Sequence, residues 1–183
     1  KEHPSEKILA IDGDLRPSTG RILTAVAQAA LDCDWKVTYC GRIPSPAIAL
    51  YGIEKALPTV MVTGSHIPED RNGIKFNHPK GEITKKDEQG IVKQEIEINE
   101  NLFDEKGMLL SPTMLPEVDR VAEEIYVSRY VSFYPANALE GLKIGVYEHS
   151  AVGRDILSKV LRELGAEIIS LGRSETFIPV DTE

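Results

Sequence analysis

Short apolar runs alternate with segments of helical periodicity through the first third of the chain, and this alternation limits the folds open to it. Each run ends near a glycine or proline, and apolar residues between the runs recur three to four positions apart, as on one face of a helix. The predicted strands are Lys7–Ile11, Lys36–Cys40 and Thr59–Thr63, and the predicted helices begin at Pro17 and at Pro44. The order β-α-β-α-β indicates an α/β fold with a largely parallel sheet and right-handed crossovers.

The middle of the chain predicts one further strand and two helices. We expect a strand at Ile74–Asn77, a surface helix and loop within Glu82–Asn99, and a long amphipathic helix at Leu115–Tyr134. The residues predicted to form the buried stripe of this long helix are Val118, Val121, Ile125, Val127 and Val131.

Beyond a predicted linker at Pro135–Ala138 the pattern begins again. A strand at Leu142–Tyr147, a helix at Gly153–Leu164 and a strand at Ala166–Leu171 form one further βαβ unit. A unit of about 45 residues is too small to close a core of its own. We therefore predict a first domain over residues 1–134, followed by a linker and part of a second domain over residues 135–183.

The charge balance of the chain restricts its partners. With 21 Lys and Arg against 29 Asp and Glu, the net charge is −8, which gives no general attraction to nucleic acid or to an anionic membrane. No apolar stretch approaches the roughly 20 residues that span a bilayer. Cys33 and Cys40 lack the spacing of a zinc or disulfide motif, so we expect reduced thiols and a cytoplasmic location.

A polar loop after the third predicted strand carries the residues best suited to chemistry. Ser65 and His66 follow Thr63 and Gly64 directly, and Lys75 comes ten residues after Ser65. Open α/β sheets bind their ligands beyond the carboxyl ends of the strands, where this loop is predicted to lie. A hydroxyl, an imidazole and an ammonium group on one turn are suited to handling a negatively charged group on an oxygen nucleophile. A Ser-His-Asp hydrolase is a weaker interpretation, because no Gly-x-Ser-x-Gly elbow is present.

Three motifs resemble those of the α-D-phosphohexomutases, the superfamily of phosphomannomutases and phosphoglucomutases. The Thr63–Pro68 loop with Asn72-Gly73 and Lys75 resembles the family's phosphoserine loop; Asp12–Ser18 and Gly41–Pro46 resemble two turns that precede it. The resemblance implies a three-layer α/β/α domain with a mixed sheet, followed by the start of a second, similar domain. It also implies interconversion of hexose 1- and 6-phosphates through a phosphoserine and a bisphosphorylated sugar.

The resemblance also assigns roles to individual residues. Ser65 would carry the phosphoryl group, Lys75 would act as general acid/base, and His66 would orient the ester or share the proton transfer. Arg16 would be a nearby cation, and Asn72 and Gly73 would shape the turn that returns Lys75 toward Ser65. Magnesium (Mg2+) would bind the phosphate on Ser65, with its remaining ligands outside these residues. Asp12 and Asp14 are read instead as turn formers that cap the next helix.

This sequence departs from the family pattern in two ways. Ile67 stands where the family usually has asparagine, and the family's Asp-Gly-Asp-x-Asp-Arg metal loop does not occur in the 183 residues. We therefore expect an N-terminal fragment that is inactive alone. The alternative is a non-catalytic phosphosugar-binding or interaction module that keeps the loop without turnover. The choice between mannose and glucose, and the oligomeric state, stay open.

Overall fold

A computed structural model describes residues 7–179, and its elements follow the predicted order. The strands are β1 Ile8–Gly13, β2 Lys36–Tyr39, β3 Thr59–Val62, β4 Ile74–His78, β5 Gly81–Glu82, β6 Lys143–Tyr147 and β7 Glu167–Leu171. The helices are α1 Thr19–Asp32, α2 Ser45–Lys55, α3 Lys85–Val92, α4 Val121–Phe133 and α5 Arg154–Glu163, with one 3-10 turn at Glu100–Leu102.

The first five strands form one mixed sheet in the order β2-β1-β3-β4-β5. The strands β2, β1 and β3 are parallel, whereas β4 pairs antiparallel with β3, and β5 pairs antiparallel with β4. The predicted mixed α/β sheet is thus confirmed. Because β4 runs against β3, the beginning of β4 lies at the same edge as the carboxyl end of β3.

Helices cover both faces of this sheet because successive strand residues point to opposite sides. On one face Ile11 and Val62 pack with Leu23 of α1. On the other face Ala10 and Met61 belong to a cluster that includes residues of α2 and α4. Ligand-binding loops of such a three-layer domain lie at the strand ends, between the helical layers.

The β6-α5-β7 unit forms a separate two-stranded parallel sheet whose helix shares the core of the first unit. Ile156, Val160 and Leu164 belong to the same buried cluster as Ile48 of α2 and Val127 of α4. Helix α4 therefore lies between α2 and α5. The division into domains at residue 134 stays a prediction.

The first strand is longer than the sequence predicts. Asp12 and Gly13, expected in a turn, pair with Met61 and Val62 of β3 and so continue β1. Aspartate disfavours strands in isolation, but pairing with a central neighbour overrides this local preference.

The predicted start of the long helix at Leu115 is wrong, because α4 begins at Val121. Pro116 restricts the residue before it to extended conformations. Further along, the N–H of Asp119 donates to Tyr39 O at the end of β2, and Asp119 Oδ1 accepts the N–H of Val121. Val118 consequently precedes the helix and is 48 % exposed.

The two thiols lie in different environments. Cys33 is exposed at the end of α1, whereas Cys40 is buried within the core, and both are free. Burial, followed by the nearby charges of Asp12 and Asp119, raises the pKa of Cys40 to about 12. Across residues 7–179, every helix is too short or too polar to cross a membrane.

Candidate functional site

The loop that carries Ser65 leaves the carboxyl end of β3 and returns to the sheet at β4. The N–H of Thr63 donates to Gly73 O at 3.0 Å, which closes the loop at its base. Ser65 is exposed and has a left-handed backbone with φ of 51°. A non-glycine residue in this region costs roughly 1–3 kcal/mol, so surrounding contacts must hold it there.

The backbone of Ser65 is hydrogen-bonded at both polar groups, whereas its side chain is not. The Ser65 N–H donates to Thr63 Oγ1 at 3.2 Å, and Ser65 O accepts from Arg16 Nη2 at 3.0 Å. Within residues 7–179, Ser65 Oγ takes part in no hydrogen bond. The hydroxyl is therefore presented to solvent from a fixed backbone.

Arg16 holds the loop from beneath through its backbone carbonyls. Nη1 donates to Pro68 O at 2.8 Å and to Arg71 O at 3.1 Å, while Nη2 donates to Ser65 O and, at 2.7 Å, to Ile67 O. The arginine is only 2 % exposed. Since its terminal donors already point at carbonyls, Arg16 organises the loop rather than offering those donors to a ligand.

Asp14 balances the charge of Arg16 and joins three parts of the site. Its Oδ1 accepts from the N–H of Arg16 and from Thr19 Oγ1, at 3.0 and 2.6 Å. Its Oδ2 accepts from Thr63 Oγ1 at 2.8 Å and lies 3.3 Å from Arg16 Nε. The aspartate thus links β1, the start of α1 and the Ser65 loop.

Asn72 and Gly73 lie where the loop turns back into β4. Asn72 Nδ2 donates to Ser18 Oγ and Thr19 Oγ1 at 3.0 and 2.9 Å, and its Oδ1 accepts the N–H of Gly73. A Cβ at residue 73 would stand 2.9 Å from Thr63 O, so glycine fits this closing position.

Gly64 brings the backbone against the guanidinium of Arg16. A Cβ at residue 64 would lie 2.6 Å from Arg16 Cζ and 2.8 Å from Ile67 Cγ1. Ile67, which replaces the family's usual asparagine, therefore packs beside the position that glycine leaves empty. The two residues fit each other in this chain.

His66 and Lys75 flank the loop without direct hydrogen bonds to Ser65. His66 is exposed next to the serine. Lys75 pairs with Met61 across β3 and β4, so its side chain lies on the α2 face. It lines a groove of about 1240 Å³ together with Ser45 and Met61.

Two residues before Asp14, a second buried carboxylate has an opposite environment. Asp12 is fully buried, and neither of its oxygens has a hydrogen-bond partner within residues 7–179. Burial, and secondarily the charge of Asp14, raises the pKa of Asp12 well above its usual value. The raised pKa favours the neutral carboxylic acid, and burial keeps this group out of contact with the solvent that reaches Ser65.

The described residues do not supply a metal centre by themselves. No group of three or more His, Cys, Asp or Glu side chains suited to a metal ion occurs between residues 7 and 179. Asp14 is occupied by its bonds to Arg16, Thr19 and Thr63, and Asp12 is enclosed. Magnesium at the Ser65 phosphate therefore stays a prediction of the resemblance.

Sequence reasoning missed two contributions to this site. The role of Asp14 in joining Arg16 to Thr63 was hidden by its simpler reading as a turn former. Phe177, which lies over the Arg16 guanidinium at 4.5 Å from Cζ to the ring centroid, carries no motif at all. Its contact depends on tertiary structure.

Comparisons with known proteins agree with this fold and loop. The family described as phosphoglucomutase/phosphomannomutase, alpha/beta/alpha domain I, matches residues 1–103. A phosphomannomutase of Salmonella muenchen is 42% identical over 96% of the chain and 34% of its own length. A phosphomannomutase of Sinorhizobium fredii is 44% identical over 93% of the chain and 35% of its own length.

More distant relatives carry another name. A phosphoglucosamine mutase of Actinobacillus succinogenes is 33% identical over 93% of the chain and 37% of its own length. The crystal structure of a phosphoglucomutase/phosphomannomutase family protein from Burkholderia thailandensis superposes with a TM-score of 0.68 at 20% identity, covering 96% of the chain and 37% of that structure. The chain spans about a third of the length of the curated relatives it matches.

Proposed function

The chain belongs to the phosphoglucomutase/phosphomannomutase family, and we propose that Ser65 is the phosphoryl carrier of a phosphohexomutase reaction. The observation that supports this most is the fixed backbone of Ser65, bonded at both its N–H and its C=O, with an unoccupied hydroxyl facing solvent. Positioning and electrostatics supply most of the catalysis in phosphoryl transfer, so a rigidly held carrier suits the task.

The reaction would proceed in two balanced transfers. The phosphoryl group leaves Ser65 Oγ for the free hydroxyl of a hexose 1- or 6-phosphate, so that the sugar hydroxyl loses its proton, Ser65 Oγ gains one, and the sugar becomes bisphosphorylated. The other phosphoryl group then returns to Ser65 Oγ, which loses its proton, and the sugar oxygen that the group leaves is protonated. Lys75 is our candidate for this proton exchange, with His66 as the group that orients the ester.

The charge on a phosphorylated Ser65 must be met mainly by groups other than Arg16. A serine phosphate carries about −1.5 to −2 charges at neutral pH. Arg16 is already paired with Asp14 at 3.3 Å and bonded to loop carbonyls. Lys75 and a magnesium ion whose carboxylate ligands come from elsewhere are the proposed counter-charges.

The substrate class we propose is a hexose phosphate, with mannose phosphate as the first to test. The two phosphomannomutases share 42% and 44% of their aligned residues with this chain, against 33% for the phosphoglucosamine mutase. A cytoplasmic location would place the enzyme with such substrates and remains part of the proposal.

The second candidate is a phosphosugar-binding module without turnover. The observation in its favour is that no hydrogen bond joins Ser65 Oγ, the His66 ring and Lys75 Nζ to one another within residues 7–179. Catalytic contacts often tighten only when substrate is bound, so this geometry is compatible with the phosphohexomutase reaction as well.

One experiment separates the two candidates. The full-length gene product, purified from its native host, should carry one phosphate on Ser65 by intact-mass and peptide analysis. It should also exchange phosphate between mannose 1-phosphate and mannose 6-phosphate. Ser65→Ala should abolish this exchange, whereas Ser111→Ala, at an exposed serine outside the loop, should preserve it. Full turnover in Ser65→Ala would overturn the proposal, and binding without turnover in the unmodified protein would favour the module.

A further inference from the structure

The segment after β7 reaches back from the second unit to the Ser65 loop of the first. Residues 174–178 form this crossing segment. Its Phe177 ring lies over the guanidinium of Arg16, with 4.5 Å from Cζ to the ring centroid. A separation within about 6 Å gives a cation–π attraction, which strengthens when the cation is desolvated. Arg16 meets that condition because it is only 2 % exposed.

The second unit fastens the crossing segment at both ends. Near its end, Ser150 Oγ accepts the N–H of Ile178 at 2.9 Å and donates to Ile178 O at 3.2 Å. At its beginning, Arg154 donates to Ser174 O, and its Nη2 donates to Glu175 Oε2 at 3.1 Å. Phe177 is therefore held between two anchors that belong to β6-α5-β7.

A continuous set of contacts thus joins the second unit to Ser65. The anchors hold the crossing segment, Phe177 lies on Arg16, and Arg16 donates to the carbonyl of Ser65 and to three other carbonyls of the loop. Gly64 packs on the same guanidinium, since a Cβ there would stand 2.6 Å from Cζ. A small shift of the guanidinium would therefore be transmitted directly to the loop backbone.

We propose that Phe177 is a positioning residue that fixes Arg16 and thereby sets the conformation of the Ser65 loop. It does not touch the reacting hydroxyl, and it acts only through Arg16. Its effect on the loop is independent of chemistry, while its effect on turnover rests on the proposed role of Ser65 as phosphoryl carrier. The second unit would in this way adjust a nucleophile that the first unit carries.

The structural part is tested by NMR and hydrogen exchange on the 183-residue chain. The ring above the guanidinium shields the Arg16 Nε–H, so Phe177→Leu should move this resonance downfield. It should also accelerate exchange of the Ile67 and Arg71 amides, which donate within the loop to Gly64 O and Pro68 O. Phe177→Tyr, which keeps the ring, should restore both signals.

Two further variants complete this test. Phe133→Leu makes the same substitution at a phenylalanine that is 79 % exposed on α4, and it should leave the Arg16 and loop signals unchanged. Ser150→Ala keeps Phe177 but removes an anchor, so it should shift the same signals in a smaller degree, even if Phe177→Leu fails to fold. If Phe177→Leu folds and its loop signals match those of the unmodified chain, the proposal is overturned. If Phe177→Leu does not fold, the same match in Ser150→Ala overturns it.

The catalytic part is tested on the full-length protein by separating kcat from KM. A displacement of about 1 Å can cost on the order of 100-fold in rate, so Phe177→Leu should lower kcat by roughly 10- to 100-fold with little change in KM. Phe177→Tyr should recover most of the loss. An unchanged kcat in Phe177→Leu would overturn the positioning role. Full turnover in Ser65→Ala would instead overturn the function of Ser65 while leaving the NMR result standing.

Discussion

Two buried arginines occupy equivalent places in the two βαβ units. Arg16 lies between β1 and α1 and is 2 % exposed; Arg154 begins α5 after β6 and is 6 % exposed. Each donates to at least one backbone carbonyl in the segment that follows the neighbouring strand. Arg16 holds the loop after β3, and Arg154 holds Ser174 after β7. Each unit thus uses a buried arginine to hold a segment that follows the carboxyl end of a strand in its own sheet.

The partners of the two arginines differ in their contact with water. Arg16 donates to four loop carbonyls and pairs with Asp14, whose side chain is only 13% exposed. Arg154 depends partly on Glu175, whose side chain is 75% exposed. Charges in water are screened by solvent and salt, whereas buried ones are screened much less. The site that carries Ser65 is therefore held by the more insulated of the two arrangements.

Replacing each arginine with lysine should separate the two arrangements most strongly. Lysine presents a compact ammonium and cannot span four carbonyls. Each buried carbonyl left without a donor costs about 1–3 kcal/mol, so Arg16→Lys should lower the free energy of unfolding by roughly 3–5 kcal/mol. Arg154→Lys should cost less, about 1.5–3 kcal/mol, because its carboxylate partner is already solvated. Urea denaturation of both variants measures the difference. Equal losses would show that burial of the partners does not matter.

The close approach of Gly64 to Arg16 should produce the next largest effect. Gly64→Ala adds a Cβ 2.6 Å from Arg16 Cζ, and such overpacking typically costs about 1–3 kcal/mol. Gly20→Ala is the matched control, because no atom lies within 4 Å of its added Cβ and it is in α1. That control should be neutral or stabilise the fold by up to about 1 kcal/mol. Thermal denaturation that gives the same shift for both variants would contradict this packing.

Acid should weaken the ion pairs that hold the crossing segment, with the smallest change in the free energy of unfolding among these predictions. Arg173, just after β7, donates to Asp155 Oδ1 at 2.7 Å and to Glu175 Oε1 at 2.8 Å. These hydrogen bonds are the main cause that lowers the pKa of Asp155 below its ordinary 3.8 and that of Glu175 below its ordinary 4.5. A lowered pKa means that each carboxylate stabilises the fold above its ordinary pKa and loses this contribution as the pH falls through the lowered value. Because solvent screens these exposed pairs, the loss should be small.

Hydrogen exchange of the crossing segment tests this pH dependence. As the pH falls below 4.5, its protection should decline in the unmodified chain after correction for intrinsic exchange. Asp155→Asn should already show part of this loss at neutral pH. The amides of the Ser65 loop should respond less, because the crossing segment reaches this loop only through the contact of Phe177 with Arg16. A loss of protection of equal size in both regions would mean that they share one set of supports.

Much of the fold could be predicted because its local patterns agree with its tertiary structure. The apolar runs of β2 and β3 and the periodic faces of α1 and α2 are visible in sequence and lie where expected. The errors arise where tertiary contacts prevail. Asp12 joins β1 through pairing with β3, and Asp119 starts α4 late through its bonds to Tyr39 and Val121.

The candidate site divides in the same way. Ser65, Asn72 and Gly73 belong to one contiguous motif, so their proximity follows from a single turn. The convergence of Arg16, Asp14 and Thr63 requires that β1 and β3 be neighbours, which the βαβαβ order makes plausible but does not specify. Phe177 reaches Arg16 from the other end of the chain, and its surrounding sequence gives no sign of that contact.

The two cysteines differ in exposure, so their rates of alkylation can report how often the core opens. Thiolates are the reactive form, and the exposed Cys33 is accessible to alkylating reagents in the native state. Cys40, buried and with its pKa near 12, is protected until the edge of the sheet at the end of β2 separates. Alkylation of Cys33 should therefore add one mass increment to every folded molecule. The delay before a second increment, from Cys40, measures the lifetime of the closed core.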